Sequence, residues 1–153
     1  MMSGRAPGSI VQMIHFALRS GGFSGGGGRG FVEYGAGNGD LAAILLERGW
    51  SGEIFESDSQ TAEGLEGRFQ PDISLGTLKV HATDFVGNTV PSGSIDFVYS
   101  SMVLEHLPLD HVRSMILESV RILRPGGRLS VYVPASPNHW SIEDDVAGHL
   151  RRY

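Results

Sequence analysis

The stretch Glu33-Tyr34-Gly35-Ala36-Gly37-Asn38-Gly39-Asp40 decides the fold. It follows the strand-like run Phe31-Val32-Glu33-Tyr34 and precedes the helical periodicity of Leu41 to Arg48. A strand that hands over to a helix through spaced glycines is the first turn of a βαβ unit, where the backbone needs positive φ and a ligand can approach closely. Working outward, the alternation repeats. Glu53-Ile54-Phe55 reads as a second strand, followed by a polar helix from about Gln60 to Phe69 and a third strand at Leu78-Lys79-Val80. Pro91-Ser92-Gly93 signals a turn into a fourth strand, Ile95-Asp96-Phe97-Val98-Tyr99. The spacing predicts a helix from about Asp110 to Leu123, with Val112, Met115, Ile116, Val120 and Leu123 on one face. Pro125-Gly126-Gly127 is expected to break it, and Arg128 to Val133 to form a fifth strand. Strands alternating with helices predict a doubly wound, mainly parallel, Rossmann-like α/β sheet with helices on both faces.

Upstream of this unit, Ile10 to Leu18 has helical spacing with Ser9 placed to cap, and the run Gly25 to Gly28 reads as a linker. The expected organisation is a flexible N-terminal helix and Gly-rich linker over 1–29, then one domain over 30–153. The 153 residues suit one hydrophobic core. Apolar residues at 41% and charged residues at 19% fit a soluble globular chain. A net charge of -5 speaks against a general nucleic-acid binder. The chain has no cysteine, which excludes disulfides, thiolate zinc sites and cysteine nucleophiles. Ile10 to Leu18 is too short to span a membrane, so neither membrane nor nucleic acid is expected as a partner, and a cytoplasmic protein is the default.

The glycine spacing narrows the ligand. It is Gly-x-Gly-x-Gly, whereas the dinucleotide fingerprint is Gly-x-Gly-x-x-Gly/Ala, and its sixth position here is Asp40. An acid just before the loop, Glu33, is unhelpful beside phosphates but suits a ligand carrying an amino group. Glu56, seventeen positions after Gly39, stands at the end of strand two, where a carboxylate can accept from both hydroxyls of a ribose. Asp58 competes for that role, but it reads as part of the turn into the next helix. The plainer alternatives are a tight connection at the glycines and solvated loop charges at the acids.

Several motifs in order resemble those of class I S-adenosylmethionine (SAM) dependent methyltransferases, particularly the small-molecule enzymes with a Leu-Glu-His segment. They are the glycine loop, Phe55-Glu56-Ser57-Asp58, Ala82-Thr83-Asp84-Phe85, Ile95-Asp96-Phe97-Val98, Val103-Leu104-Glu105-His106-Leu107, and Arg121-Ile122-Leu123-Arg124-Pro125-Gly126-Gly127-Arg128-Leu129. The resemblance covers roughly Gly30 to Tyr153. It implies that Gly35, Ala36, Gly37 and Gly39 carry the methionine portion of SAM, with Glu33 positioning its amino group. It further implies that Glu56 holds the ribose, Ser57 lies beside the adenine, Asp84 accepts from the adenine amino group and Phe85 packs near the ring. Ser100 and Ser101 would line the path towards the sulfonium. The implied activity is methyl transfer to a small-molecule acceptor, whose identity and reacting atom the sequence does not carry.

His106 is the candidate base for that transfer, the alternative being that Glu105 and His106 fix the loop and cap the following helix. No metal is expected, because Met102 occupies the first position of the Glu-x-x-Glu-His arrangement by which some relatives bind one. In similar enzymes the segment Asp144 to Tyr153 leads into a further helix and two strands. About five of seven strands are therefore expected here, as in a fragment of a longer protein. Strand five would then be an exposed apolar edge open to self-association or a partner. Two other readings stand beside the enzyme: a truncated or degenerate SAM-binding module without catalysis, and a nucleotide-dependent oxidoreductase.

Overall fold

Five parallel strands carry the fold in the computed structural model, which describes residues 12, 14–16, 18–19, 22–23, 28–83 and 89–133. In chain order they are β1 (Gly30–Tyr34), β2 (Ser51–Glu56), β3 (Leu78–Ala82), β4 (Ile95–Ser101) and β5 (Leu123–Tyr132). The helices are α1 (Asp40–Glu47), α2 (Ser59–Arg68), α3 (Gln70–Ser74) and α4 (Leu109–Ile122), with a 3-10 turn at Leu104–His106. The sheet order is β3-β2-β1-β4-β5, and every pairing is parallel. Strands β1 to β3 step one way across the sheet, and β4 to β5 step the other way. The reversal lies between β1 and β4, and the carboxyl ends of strands at such a reversal are where open α/β sheets ordinarily take a ligand.

Alternation along each strand sorts the core into two layers. On one face Phe31, Ile54, Leu78, Phe97 and Tyr99 pack with Leu41, Ala42 and Leu45 of α1 and Leu65 of α2. Ile14, Leu18 and Phe23 lie in the same layer, with Phe23 edge-on to both Trp50 and Phe97. On the other face Val32, Tyr34, Phe55 and Val98 meet Met115 and Ile122 of α4. Gly52 exists for this packing, since a Cβ there would sit 2.5 Å from the Phe31 ring. Of the helix expected over 10–18, residues 14–16 and 18 are helical, and Ile14 and Leu18 are fully buried. Residues Met1 to Gly8, Ser9, the glycines at 25–27 and the segment 134–153 lie outside the described residues. Among the described residues no helix is long and apolar enough to cross a membrane.

Three local expectations are corrected. Pro125-Gly126-Gly127 does not separate a helix from a strand, because α4 ends at Ile122 and β5 already begins at Leu123. Leu123 pairs with Ile95 and Arg128 with Phe97, so the intervening residues form a bulge inside the strand, with Gly126 at φ 81°. The helix ends at Ile122 because Leu123 is already extended, and Arg124, which precedes Pro125, is likewise disfavoured in the α region. Val120 is 64% exposed rather than buried on the inner face of α4. Ser119 takes that place, its hydroxyl satisfied by donating to the Met115 carbonyl oxygen at 2.7 Å. Finally, α3 lies between the helix expected to end at Phe69 and the strand at Leu78, where the sequence predicts no element, with Pro71 in its first turn.

Candidate functional site

The glycine loop closes the carboxyl end of β1, and each of its three glycines has left-handed backbone for a different reason. Gly35 (φ 66°) lies under Val103, whose Cγ2 would be 2.4 Å from an added Cβ. Gly39 (φ 79°) lies against the Phe69 ring and Leu65, at 2.5 and 2.8 Å by the same measure. Gly37 (φ 53°) has nothing within 4 Å, so its face is open. The loop is pinned by Gly35 N–H donating to the Phe55 carbonyl oxygen (2.9 Å) and Gly39 N–H to that of Ala36 (2.8 Å). Two glycines therefore serve protein packing and the third leaves room for a ligand.

Glu33 is the penultimate residue of the strand that leads into this loop. Its side chain points to the face of β1 opposite Tyr34, and it is 4% exposed. The residue capping α1 is Gly39, which has no side chain to offer, and the Glu33 carboxylate instead accepts from the Ala42 N–H in the first turn. That occupies part of the carboxylate only, because Oε2 is buried without a hydrogen-bond partner. Burial is the main cause that pushes the Glu33 carboxyl from 4.5 up to about 8; nearby Asp40 and Glu56 add to the rise, while the Ala42 bond and Arg68 oppose it. A buried acid with one unpartnered oxygen, at the end of a strand that runs into an open glycine loop, is suited to receive a hydrogen-bond donor, and best a cationic one.

Glu56 ends β2 at the same edge, 8% exposed, with Oε1 accepting from the Asp58 N–H at 3.0 Å. Ser57 is exposed in the turn that follows. Asp58 has a different job: it is the N-cap of α2, its Oδ2 accepting from Thr61 N–H (2.8 Å) and Thr61 Oγ1 (2.6 Å). Those bonds hold the Asp58 carboxyl below the usual range. Ser100 is paired in register with Tyr34 and fully buried, its Oγ without a partner, while Ser101 at the strand's end is partly exposed. Asp84 and Phe85 lie outside the described residues. The structure thus brings Glu33, Gly35, Ala36, Gly37, Gly39, Glu56, Ser57 and Ser100 to the carboxyl ends of three adjacent strands. The donors and acceptors they leave open suit an adenosyl amino acid: Glu33 Oε2 for its ammonium, the open Gly37 face for its chain, Glu56 for its ribose hydroxyls.

Beyond β4 the chain turns sharply. Met102 sits at φ 59°, a left-handed conformation rare for a residue with a side chain, and its N–H donates to the Tyr132 carbonyl oxygen at 2.8 Å. The 3-10 turn then sets His106 outward and Glu105 inward. The His106 side chain is 49% exposed with Nε2 4.0 Å from Glu105 Oε1. Glu105 is 1% exposed, and both its oxygens lack hydrogen-bond partners. Reading the sequence alone missed Val103 as the surface that requires Gly35, and Tyr99, whose buried phenol is held above its usual range by burial first and by Glu33 among lesser causes. Strand alternation offered a signal for Tyr99, which shares its face of the sheet with Glu33 and pairs with it in register.

Comparison with known proteins agrees with this geometry. A family model described as a methyltransferase domain matches residues 7–152. Trans-aconitate 2-methyltransferase of Deinococcus radiodurans is 34% identical over 110 residues, which is 72% of this chain and 40% of that protein. Geranyl diphosphate C-methyltransferase from Streptomyces coelicolor, solved with Mg2+, geranyl diphosphate and S-adenosyl-L-homocysteine, superposes with a TM-score of 0.66 at 16% identity, over 79% of this chain and 43% of that one. A sarcosine dimethylglycine methyltransferase-like protein from Galdieria sulphuraria gives 0.67 at 20% identity, over 78% and 44%. The chain spans less than half the length of these relatives, and the structural likeness speaks to the fold. With the family model covering nearly every residue, the chain belongs to the methyltransferase domain family.

Proposed function

We propose that this chain binds SAM across the carboxyl ends of β1, β2 and β4 and transfers its methyl group to a small-molecule acceptor. The observation that carries the proposal is the unpartnered, buried Oε2 of Glu33 on the strand that leads into a glycine loop left open at Gly37. When bound, SAM supplies an electrophilic methyl on a sulfonium. The protein's share is positional. Glu33 takes the ammonium of the amino-acid portion and Glu56 the ribose hydroxyls, with Oε2 of Glu56 left for them while Oε1 keeps the turn. Ser57 borders the adenine side; Asp84 and Phe85, outside the described residues, are the adenine contacts that the family resemblance implies. Ser100 and Ser101 border the reacting end. Holding the acceptor in line with the methyl and excluding water supplies most of the acceleration such a displacement needs. Where the acceptor atom carries a proton, His106 removes it, since its half-exposed imidazole stands at the same edge. Replacing His106 with Ala should then lower turnover about 10²-fold or more with cofactor affinity intact. Full turnover would leave Glu105 and His106 a purely structural pair.

Calorimetric titration with SAM, S-adenosylhomocysteine (SAH) and NADH tests the proposal. Micromolar uptake of the two adenosyl ligands, lost in Glu56→Ala and absent for NADH, is expected. NADH uptake without SAH would favour a nucleotide-dependent oxidoreductase. SAH uptake without turnover on any acceptor would favour a binding module.

A further inference from the structure

Arg68 is the last residue of α2, and its side chain reaches the glycine loop across thirty residues of sequence. Its Nη1 donates to the Asn38 carbonyl oxygen and lies 3.1 Å from Asp40 Oδ1. The guanidinium carbon sits 5.1 Å from the centroid of the Phe69 ring, and that ring is the surface against which Gly39 closes. Two neighbouring residues, Arg68 and Phe69, thereby hold three successive loop residues, Asn38, Gly39 and Asp40. The peptide between Asn38 and Gly39 is fixed at both ends, its carbonyl by Arg68 and its N–H by the Ala36 carbonyl oxygen. The orientation of that peptide sets the open face of Gly37. A cleft of about 530 Å³ lies between the loop and α2, and Arg68 bridges it to Asn38.

The ion pair with Asp40 has side chains 41% and 44% exposed, so its Coulomb energy is screened and small. Reach matters more than energy here. Both contacts leave one nitrogen, Nη1, which stands one bond further from the backbone than a lysine ammonium does, so a shorter cation keeps the charge without the reach. Arg68 also acts on Glu33 through space. Among the groups facing that carboxyl, Asp40 of α1 and Glu56 of β2 raise its pKa, Arg68 of α2 lowers it, and Tyr99 of β4 is coupled to it.

We propose that Arg68 is a positioning residue for the cofactor: a latch from α2 that holds the glycine loop in its ligand-receiving shape. The role rests on reading that loop as the SAM site, but the latch itself is a property of the free chain. It is tested with Arg68→Ala and Arg68→Lys by amide hydrogen exchange over residues 37–41 without ligand, and by SAH titration from pH 6 to 9. Arg68→Ala should speed exchange at Gly39 and weaken SAH, each about tenfold, as expected for one lost charge-assisted hydrogen bond. It should also move the pH midpoint of binding upward, because a cation near Glu33 is gone. Arg68→Lys keeps the charge but its ammonium falls one bond short of the Asn38 carbonyl, so it should restore the midpoint and leave exchange fast. A simple packing role would not separate those two readouts. Unchanged exchange and affinity in Arg68→Ala, in a chain that binds SAH, would overturn the latch alone. No SAH uptake by the unsubstituted chain would overturn the cofactor reading and the positioning role with it.

Discussion

Glu33 does two things at once: it caps α1 in place of a glycine and keeps one oxygen free for a ligand. Its pH behaviour follows from burial. The folded-state pKa of about 8 lies above the ordinary 4.5, so the folded chain holds a proton that the unfolded chain has released. The stabilisation from this group is complete below the unfolded value and is lost as pH rises through about 8. Thermal unfolding between pH 5 and 9 should therefore show falling stability, and Glu33→Gln should flatten that fall, its gain at pH 9 being on the order of a few kcal/mol. An unaltered pH slope in the variant would mean that the carboxyl is already ionised in the folded chain. Gly35 offers a second test at this scale. Gly35→Ala meets both positive φ and the Val103 side chain, and should cost about 1–3 kcal/mol. Adding Val103→Ala should recover part of that loss and leave the backbone share, which a double-mutant cycle measures. Both acids were legible in the sequence, because a strand's last residues are fixed by its alternation. Arg68 was not: its partners Asn38 and Asp40 lie about thirty positions away, and no periodicity links them.

At the scale of elements, Glu56 and Asp58 show how two carboxylates two positions apart divide their work. Glu56 ends a strand at the carboxyl edge of the sheet; Asp58 begins a helix and is consumed by Thr61. Asp58→Ala should lower stability by about 1 kcal/mol, the usual worth of an N-cap, and leave SAH affinity unchanged. Glu56→Ala should do the reverse. A loss of affinity in Asp58→Ala with Glu56→Ala unaffected would exchange the two assignments. Helices α1, α2 and α4 were readable from apolar spacing and turn residues. The bulge of β5 was not, because Pro-Gly-Gly ordinarily ends an element, whereas here the glycines let a strand fold outward and resume pairing at Arg128. Helix α3 escaped notice because five residues are too few for helical periodicity to show.

For the molecule as a whole, the order β3-β2-β1-β4-β5 decides where chemistry is expected, since an open parallel sheet ordinarily takes its ligand where the strand order reverses, here between β1 and β4. Val103, on the loop after β4, packs against Gly35 on the loop after β1, so the loops on the two sides of the reversal support each other. Alternating strands and helices made this architecture readable before any coordinates. The contribution of the first residues was less so. Ile14, Leu18 and Phe23 sit in one layer with Trp50 and Phe97, although a run of glycines stands between them and β1. Ile14→Ala or Leu18→Ala should therefore destabilise the whole domain by about 2–5 kcal/mol in a single cooperative transition. A loss below ~0.5 kcal/mol would show that the segment only rests on the surface.

The central claim is that a buried, protonated Glu33 receives the ammonium of SAM or SAH. Titrating the chain with SAH at pH 7, in two buffers of different ionisation enthalpy, tests it most directly. We predict micromolar binding accompanied by release of up to about one proton, because the arriving cation favours the ionised carboxylate. Glu33→Gln should bind more weakly and release none. Equal proton release in both proteins, or no SAH binding by the folded chain, would contradict it.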